Sequence, residues 1–223
     1  EIVITASTIP EWLQLVDNGD GTGELSGTPE NADVGDHGVV LRVTDGSEAF
    51  EVQSFIVTVE NTNDAPVFTS EAITEATEDE EYSYTVIAED VDIGDEIVLS
   101  TVLLPTWLSF VDNGDGIGEL SGTPENADVG DHQVELLVTD IDGATGTQNF
   151  TVTVENTNDA PFFTSEEDTT ATEDEEYSYT VTTDDVDAGD ELVITASTIP
   201  EWLQLVDNGD GTGELSGTPE NAD

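Results

Sequence analysis

Apolar and polar residues alternate with a period of two in short bursts along this chain, and no segment sustains a 3.6-residue period. The run "FTVTV" at Phe150–Val154 is the cleanest example. A period of two sends successive side chains to opposite faces of an extended backbone, so each burst predicts a strand with one face toward a core. Between Pro66 and Asp159 the bursts predict strands at Val67–Ile73, Tyr82–Ala88, Ile97–Leu103, Leu108–Val111, Gly118–Ser121, Gln133–Val138 and Gln148–Val154. Turn chemistry separates them: "DIGD" (Asp92–Asp95), "DNGDG" (Asp112–Gly116), "GTPENADVGD" (Gly122–Asp131) and "DIDG" (Asp140–Gly143). Short strands at about ten-residue spacing predict an all-β fold, a Greek-key sandwich of immunoglobulin-like type.

The pattern recurs. "WLQLVDNGDGTGELSGTPENAD" at Trp12–Asp33 returns at Trp107–Asp128 with three changes and at Trp202–Asp223 unchanged. "NTNDAP" occurs at Asn61–Pro66 and Asn156–Pro161, and "TEDEEYSYTV" at Thr77–Val86 and Thr172–Val181. Every offset is 95 residues, and residues 1–33 and 191–223 differ only at Ile2 versus Leu192. Such a period exceeds the 20–45 residues of solenoid repeats and matches an independent domain, so the chain reads as beads on a string. The expected division is 1–65, the C-terminal part of a repeat; 66–160, a complete sandwich; and 161–223, the N-terminal part of a third. The ragged ends fit either a window on a longer array or head-to-tail copies that complete one another.

Aromatic residues mark the expected cores. Tyr82 and Tyr84 flank Ser83 and share a face. Trp107 in "LPTWLSF" reads as a core anchor, the alternative being an exposed ring that grips a sugar. His37 and His132 are equivalent positions 95 residues apart and cannot form one site within a domain; both read as structural.

Charge changes the picture more than any aromatic. The chain has 53 acidic residues against one basic residue, Arg42, and two histidines, for a formal net charge of −52. Nucleic acid and anionic membrane surfaces would be repelled and are excluded as partners. So acidic a chain can be disordered, but three Trp, four Tyr, seven Phe and clean alternation argue for folded domains. No Cys is present to form a disulfide, and no Lys to form a side-chain crosslink. Metal ions are the remaining staple, and counter-cations are needed where carboxylates converge. No apolar run approaches the ~18 residues of a membrane span.

The acids fall where loops meet. "NTNDAP" ends one repeat and starts the next, "EDVDIGD" (Glu89–Asp95) follows the second strand, and Asp140 closes "LLVTD". This pattern resembles the cadherin-like superfamily, in particular the dystroglycan-type cadherin-like and Ig-like repeats of large bacterial surface adhesins. "NTNDAP" is similar to the cadherin linker D-x-N-D-N-x-P, with Asn61 in place of its first Asp and Ala65 in place of its second Asn. Asp90 and Asp92, and later Asp185 and Asp187, match the cadherin D-x-D pair. The cadherin glutamate near the first strand has its counterpart in Glu78 or Glu80. The D-R-E motif is not preserved; "ENAD" stands near its place and adds Asn126 and Asp128 as secondary candidates.

The resemblance implies Ca2+ held at the junctions between cadherin-like sandwiches, one or two ions at each. At the first junction it implies Asn63, Asp64, Asp90, Asp92 and Asp140 as ligands. At the second it implies Asn158, Asp159, Asp185 and Asp187, with Glu78 or Glu80 from the preceding domain. The loop "DNGDGTGEL" lacks the EF-hand spacing and reads first as a hairpin turn; as an ion loop it would use Asp112 and Asp115.

The expected function is mechanical: an extracellular, cell-surface stalk, filament or adhesin of bacterial type, made of calcium-stiffened repeats of about 40 Å each. The alternative is that the repeats bind a glycan or cell-surface partner directly, or associate homophilically. No nucleophile–His–acid set is present, so an enzyme is not expected.

Overall fold

A computed structural model describes residues 1–220 of the chain; Asn221–Asp223, which end the third copy of the Trp-to-Asp motif, lie outside the described residues. The chain is almost entirely strand and turn. The first segment contains β1 (Val3–Thr8), β2 (Leu13–Asp17), β3 (Gly23–Gly27), β4 (Gly35–Thr44) and β5 (Phe50–Val59). The central segment contains β6 (Val67–Phe68), β7 (Glu75–Thr77), β8 (Tyr82–Glu89), β9 (Val98–Leu103), β10 (Ser109–Gly114), β11 (Ile117–Gly122), β12 (Gly130–Thr139) and β13 (Thr145–Glu155). The last contains β14 (Phe162–Phe163), β15 (Tyr177–Asp184), β16 (Leu203–Asp207) and β17 (Thr212–Gly217).

The central strands form two four-stranded sheets, β10-β11-β8-β6 and β7-β13-β12-β9. All of their pairs are antiparallel except β7 with β13, which is parallel. This is the sandwich that the alternation predicts. Along β8 the even positions Tyr82, Tyr84, Val86 and Ala88 are buried and the intervening residues exposed. Val134, Leu136 and Val138 of β12 and Val152 and Val154 of β13 meet them from the other sheet, with Leu120 at the centre. Trp107 packs edge-on against Tyr82, with ring centroids 5.7 Å apart, and against His132 at 5.9 Å. Its role is the core anchor. His132 also bonds through Nε2 to the Asp128 carbonyl at 2.6 Å, a structural role that His37 repeats on Asp33.

One predicted strand divides. Val67–Ile73 is not continuous: Val67–Phe68 pairs with the end of β8, and the chain then crosses to the other sheet as β7. Ser70 pins the crossing, its hydroxyl 2.7 Å from the Tyr84 hydroxyl and its carbonyl accepting Gln148 Nε2–H at 2.8 Å. Tyr82 Oη–H donates to the Ile73 carbonyl at 2.7 Å. A first strand shared in this way covers an edge of each sheet, which limits unpaired backbone there.

The "DNGDG" motif is a hairpin turn between β10 and β11, with Gly114 and Gly116 at positive φ and Asp115 at φ 53°. Close approach also fixes Gly122. A Cβ there would lie 2.1 Å from the Trp107 carbonyl oxygen, and Gly27 and Gly217 stand in the same relation to Trp12 and Trp202.

The first segment builds a three-stranded sheet β1-β4-β5 and the hairpin β2-β3; the last builds β14-β15-β17-β16. Residues 193–198 repeat the sequence of β1 but form no strand. In the first segment β1 is paired to β4. No counterpart of β4 follows among the described residues, and without a partner the same six residues stay irregular.

Leu120 is wholly buried, so Leu120→Ala is expected to cost about 2–5 kcal/mol through lost burial and the cavity left behind. Ile117→Ala, on the same strand but 43% exposed, should cost under about 1 kcal/mol. Urea denaturation followed by hydrogen exchange of the β8 and β11 amides separates the two; equal losses would contradict the core assignment.

Candidate metal centre

The two linkers enter strand pairs whose ends carry converging carboxylates. In an antiparallel sandwich, alternate loops lie at one end, so the turn after β8, the turn after β12 and the incoming linker are brought together. Asp90 and Asp92 follow β8, Asp140 follows β12, and Asn63 and Asp64 arrive from the linker. The first site therefore draws on three stretches of chain.

Its hydrogen bonds are specific. The Asp64 backbone N–H donates to Asp92 Oδ2 at 2.7 Å, and Asn63 Nδ2–H donates to Asp140 Oδ2 at 2.9 Å. Asp140 also accepts the Ala144 N–H on Oδ1 at 2.8 Å, and Asp90 accepts the Asp92 N–H on Oδ1 at 2.9 Å. From the preceding segment Asn31 Nδ2–H reaches Asp64 Oδ2 at 2.7 Å.

Three oxygens remain. Asp90 Oδ2, Asp92 Oδ1 and Asp95 Oδ2 are buried without a hydrogen-bond partner. Carboxylate oxygens of the same three residues lie within 4.8 Å of one another. Buried polar atoms are normally satisfied, and unpaired anions are costly to bury. Asp92 is only 4% exposed. An all-oxygen set with unsatisfied lone pairs suits a hard divalent cation of the Ca2+ or Mg2+ class.

The second site repeats the design and shows Glu78 of the preceding segment beside it. Asp159 N–H donates to Asp187 Oδ2 at 2.6 Å, the counterpart of the Asp64–Asp92 bond, and Asp185 accepts the Asp187 N–H at 3.0 Å. Asn158 Nδ2–H bonds the Asp159 carbonyl at 2.6 Å, and Asn126 Nδ2–H bonds Asp187 Oδ1 at 3.1 Å. Glu78, 1% exposed, accepts the Thr157 N–H on Oε2 at 3.1 Å. Carboxylate oxygens of Glu78, Asp159 and Asp187 lie within 4.8 Å of one another.

Of the two glutamates left open by the sequence, Glu78 is in the cluster and Glu80 is exposed. Asn126 reaches the second site through Asp187, while Asp128 Oδ2 accepts the Glu125 N–H at 3.0 Å and closes the short 3-10 turn Asn126–Asp128. Asp112 is occupied by backbone, accepting Leu99 N–H at 3.1 Å and Gly114 N–H at 2.9 Å. Asp115 sits in the turn itself. Asp95 was not among the expected residues. Its signal in the sequence is the third acid of D-x-D-x-x-D, which turn chemistry alone had absorbed.

Electrostatics separates the acids. Burial, then the charges of Asp90, Asp92, Asp142 and Asp140, push the Asp95 carboxyl above the ordinary range. Burial, then Glu78, Asp187, Asp79 and Asp185, do the same to Asp159. Asp140 moves the other way, held down chiefly by the Asn63 amide and then by the N–H groups of its own turn.

The Putative Ig domain family model matches residues 2–60, 65–155 and 160–223, and the chain belongs to that family. Among solved structures the EC1-4 region of PcdhgB3 is similar at 19% identity and TM-score 0.63, covering 98% of this chain and 58% of that one. The Protocadherin GammaB4 extracellular domain is similar at 18% identity and TM-score 0.56, covering 100% of this chain and 40% of that one. These likenesses show the fold: tandem immunoglobulin-like and cadherin-like β-sandwiches. The endo-fucoidan hydrolase MfFcnA4 from glycoside hydrolase family 107 aligns at 27% identity and TM-score 0.40, covering 99% of this chain and 35% of that one. The chain thus spans from about a third to three-fifths of these proteins. No curated protein matches it.

A carboxyl whose folded-state pKa is raised stabilises the fold when protonated, and that contribution is lost as pH rises through the raised value. Asp95 and Asp159 therefore weigh against folding at neutral pH when no cation is present. Asp140, with a lowered value, contributes above the ordinary 3.8 and loses that contribution as pH falls below it. In EDTA, calorimetry should find the melting temperature rising as pH falls from neutral toward the upper edge of the carboxylate range, then dropping at more acid pH. Asp95→Asn should flatten the rise. A melting temperature that falls steadily from pH 7 downward would refute the crowding account.

Proposed function

We propose that this chain is part of an extracellular, adhesion-type array whose inter-repeat junctions bind Ca2+ and are stiffened by it. In this reading residues 66–160 are one complete repeat, and 1–65 and 161–223 are parts of its neighbours. The observation that carries it is the trio of orphaned oxygens on Asp90, Asp92 and Asp95 beside the Asp64–Asp92 linker bond. The first junction would use Asn63, Asp64, Asp90, Asp92, Asp95 and Asp140. The second would use Glu78, Asn126, Asn158, Asp159, Asp185 and Asp187.

Ca2+ takes six to eight oxygens at 2.3–2.6 Å in flexible geometry, which loops from two sandwiches can supply together. Because those loops belong to consecutive repeats, the binding free energy goes into ordering the junction. Without the ion, repulsion among the acids opposes the straight arrangement. With it, the repeats become a stiff rod of about 40 Å per unit. A rod of this kind serves as a surface stalk, filament or adhesin.

Support for a non-enzymatic role comes from the family and from where the acids sit, at strand ends and turns. An exposed aromatic platform is what direct glycan recognition would favour, whereas Trp107 is partly buried against the core. The mechanical reading is therefore preferred.

Adding Ca2+ to metal-free protein should raise the melting temperature and the maximum dimension from small-angle scattering. Asp92→Asn should weaken the first junction, and Glu78→Gln the second, each lowering the affinity of its own junction roughly tenfold or more. Calorimetric titration would resolve the two. Identical melts and scattering in EDTA and Ca2+ would defeat the proposal.

A further inference from the structure

The first segment and the central copy share most of their sequence, but between residues 34 and 60 they differ at eleven positions, several of them on one outer face. On the strand paired to β4, the residues pointing away from the sandwich in the central copy are Thr145, Thr147 and Thr151; in the first segment the same positions hold Phe50, Val52 and Ile56. On β4 itself Val40 replaces Glu135 and Gly38 replaces Gln133. Phe50, Val52 and Ile56 are 58%, 45% and 65% exposed. Their exposure does not come from an open core. Leu41, Gln53 and Phe55, on the opposite parity, line the inner side together with Leu15 and Leu25.

This outer face also carries the only basic side chain of the molecule. Arg42, where the central copy has Leu137, lies 4.0 Å above the Phe50 ring. The outward positions of β1, of β4 from Gly38 to Thr44 and of β5 from Phe50 to Ile56 hold no acid, in a chain with 53 of them. The first acid on the face is Asp36, at the other end of β4, which accepts Thr58 Oγ1–H at 2.6 Å. Arg42 and Asp36 are thus about 20 Å apart on one face, with apolar surface and the bare Gly38 between them. A Cβ at Gly38 would meet nothing within 4 Å.

We propose that the outer face of the β1-β4-β5 sheet is a self-association surface that packs on the same face of a second copy. A two-fold axis crossing β4 between Gly38 and Val40 lays the two β4 strands antiparallel, one over the other. Arg42 of each copy then faces Asp36 of the other, and Val40 faces Gly38. The face is self-complementary in charge and shape, as an isologous contact requires. Elsewhere two copies repel through their acidic surfaces, which confines the contact to this face. Three strands about 4.8 Å apart, β4 and β5 ten residues long and β1 six, give about 400 Å2 per copy. That is below the ~800 Å2 of a stable pair, so the contact is weak singly and gains strength between multivalent arrays.

The inference does not rest on the calcium reading. Sedimentation equilibrium of the full 223-residue chain, in EDTA and separately in Ca2+, at salt sufficient to screen the net charge, should detect a monomer–dimer equilibrium in both. Val52→Thr with Ile56→Thr, which copies residues the central strand already carries, should weaken it tenfold or more. Arg42→Asp and Asp36→Arg should each weaken it, and the double exchange should restore it. A chain monomeric at every concentration would overturn the proposal. So would a dimer indifferent to the threonine substitutions, which would point to the inner faces, or a double exchange that fails to restore association.

Discussion

A chain with a single cation cannot neutralise its acids by ion pairing, and its architecture follows from what they use instead. Among the described residues the carboxylates that matter are held by N–H donors. Asp112 takes the amides of Leu99 and Gly114, and Asp128 takes that of Glu125. Asp140 takes Ala144 and the Asn63 side chain. Each such bond closes a turn or fixes a strand end, so acids concentrate at the ends of the sandwich and leave its interior apolar. Amide donors run out where two repeats meet, and the orphaned oxygens of Asp90, Asp92 and Asp95 are the consequence. In the proposed reading, the junction is where an outside cation would relieve that electrostatic load.

Much of this was legible in the sequence because the features are local or periodic. Alternation set the faces of β8, β12 and β13, and the 95-residue offset set the equivalences among copies. The acids of the D-x-D pair and the linker meet because antiparallel topology places alternate loops at one end. What stayed hidden depended on tertiary choices. The break between β6 and β7 is decided by competition between two sheet edges, which alternation does not register. Glu78 and Glu80 differ by two residues in a tight turn, and only the fold turns one inward and leaves the other in solvent. Asp95 resembled an ordinary turn residue because its partners are not its neighbours in sequence.

The pair Val3–Thr8 and residues 193–198 makes the same point from the other side. Six identical residues are a strand in one place and irregular in the other. Their propensity is constant, so what differs is the pairing partner, present as β4 in the first segment. Strand propensity in these repeats measures fit to a neighbour more than an intrinsic preference of the backbone.

Parity then links stability to recognition. Because successive side chains alternate sides, the inner face of β5 and its counterpart β13 can remain core-forming, with Phe55 and Phe150, Val57 and Val152, and Val59 and Val154 in register. The outer face is free to change, and there threonines give way to Phe50, Val52 and Ile56 without touching the core. Exposed apolar side chains gain nothing in an isolated, highly charged molecule. A contiguous set of them around the sole arginine is a feature that folding does not require. If the junction acids stiffen the array as proposed, the altered outer face of the first segment could set where one array touches the next without involving them. The outer face of β1-β4-β5 and the acids that follow β8 and β12 belong to different segments, so a change in one need not disturb the other.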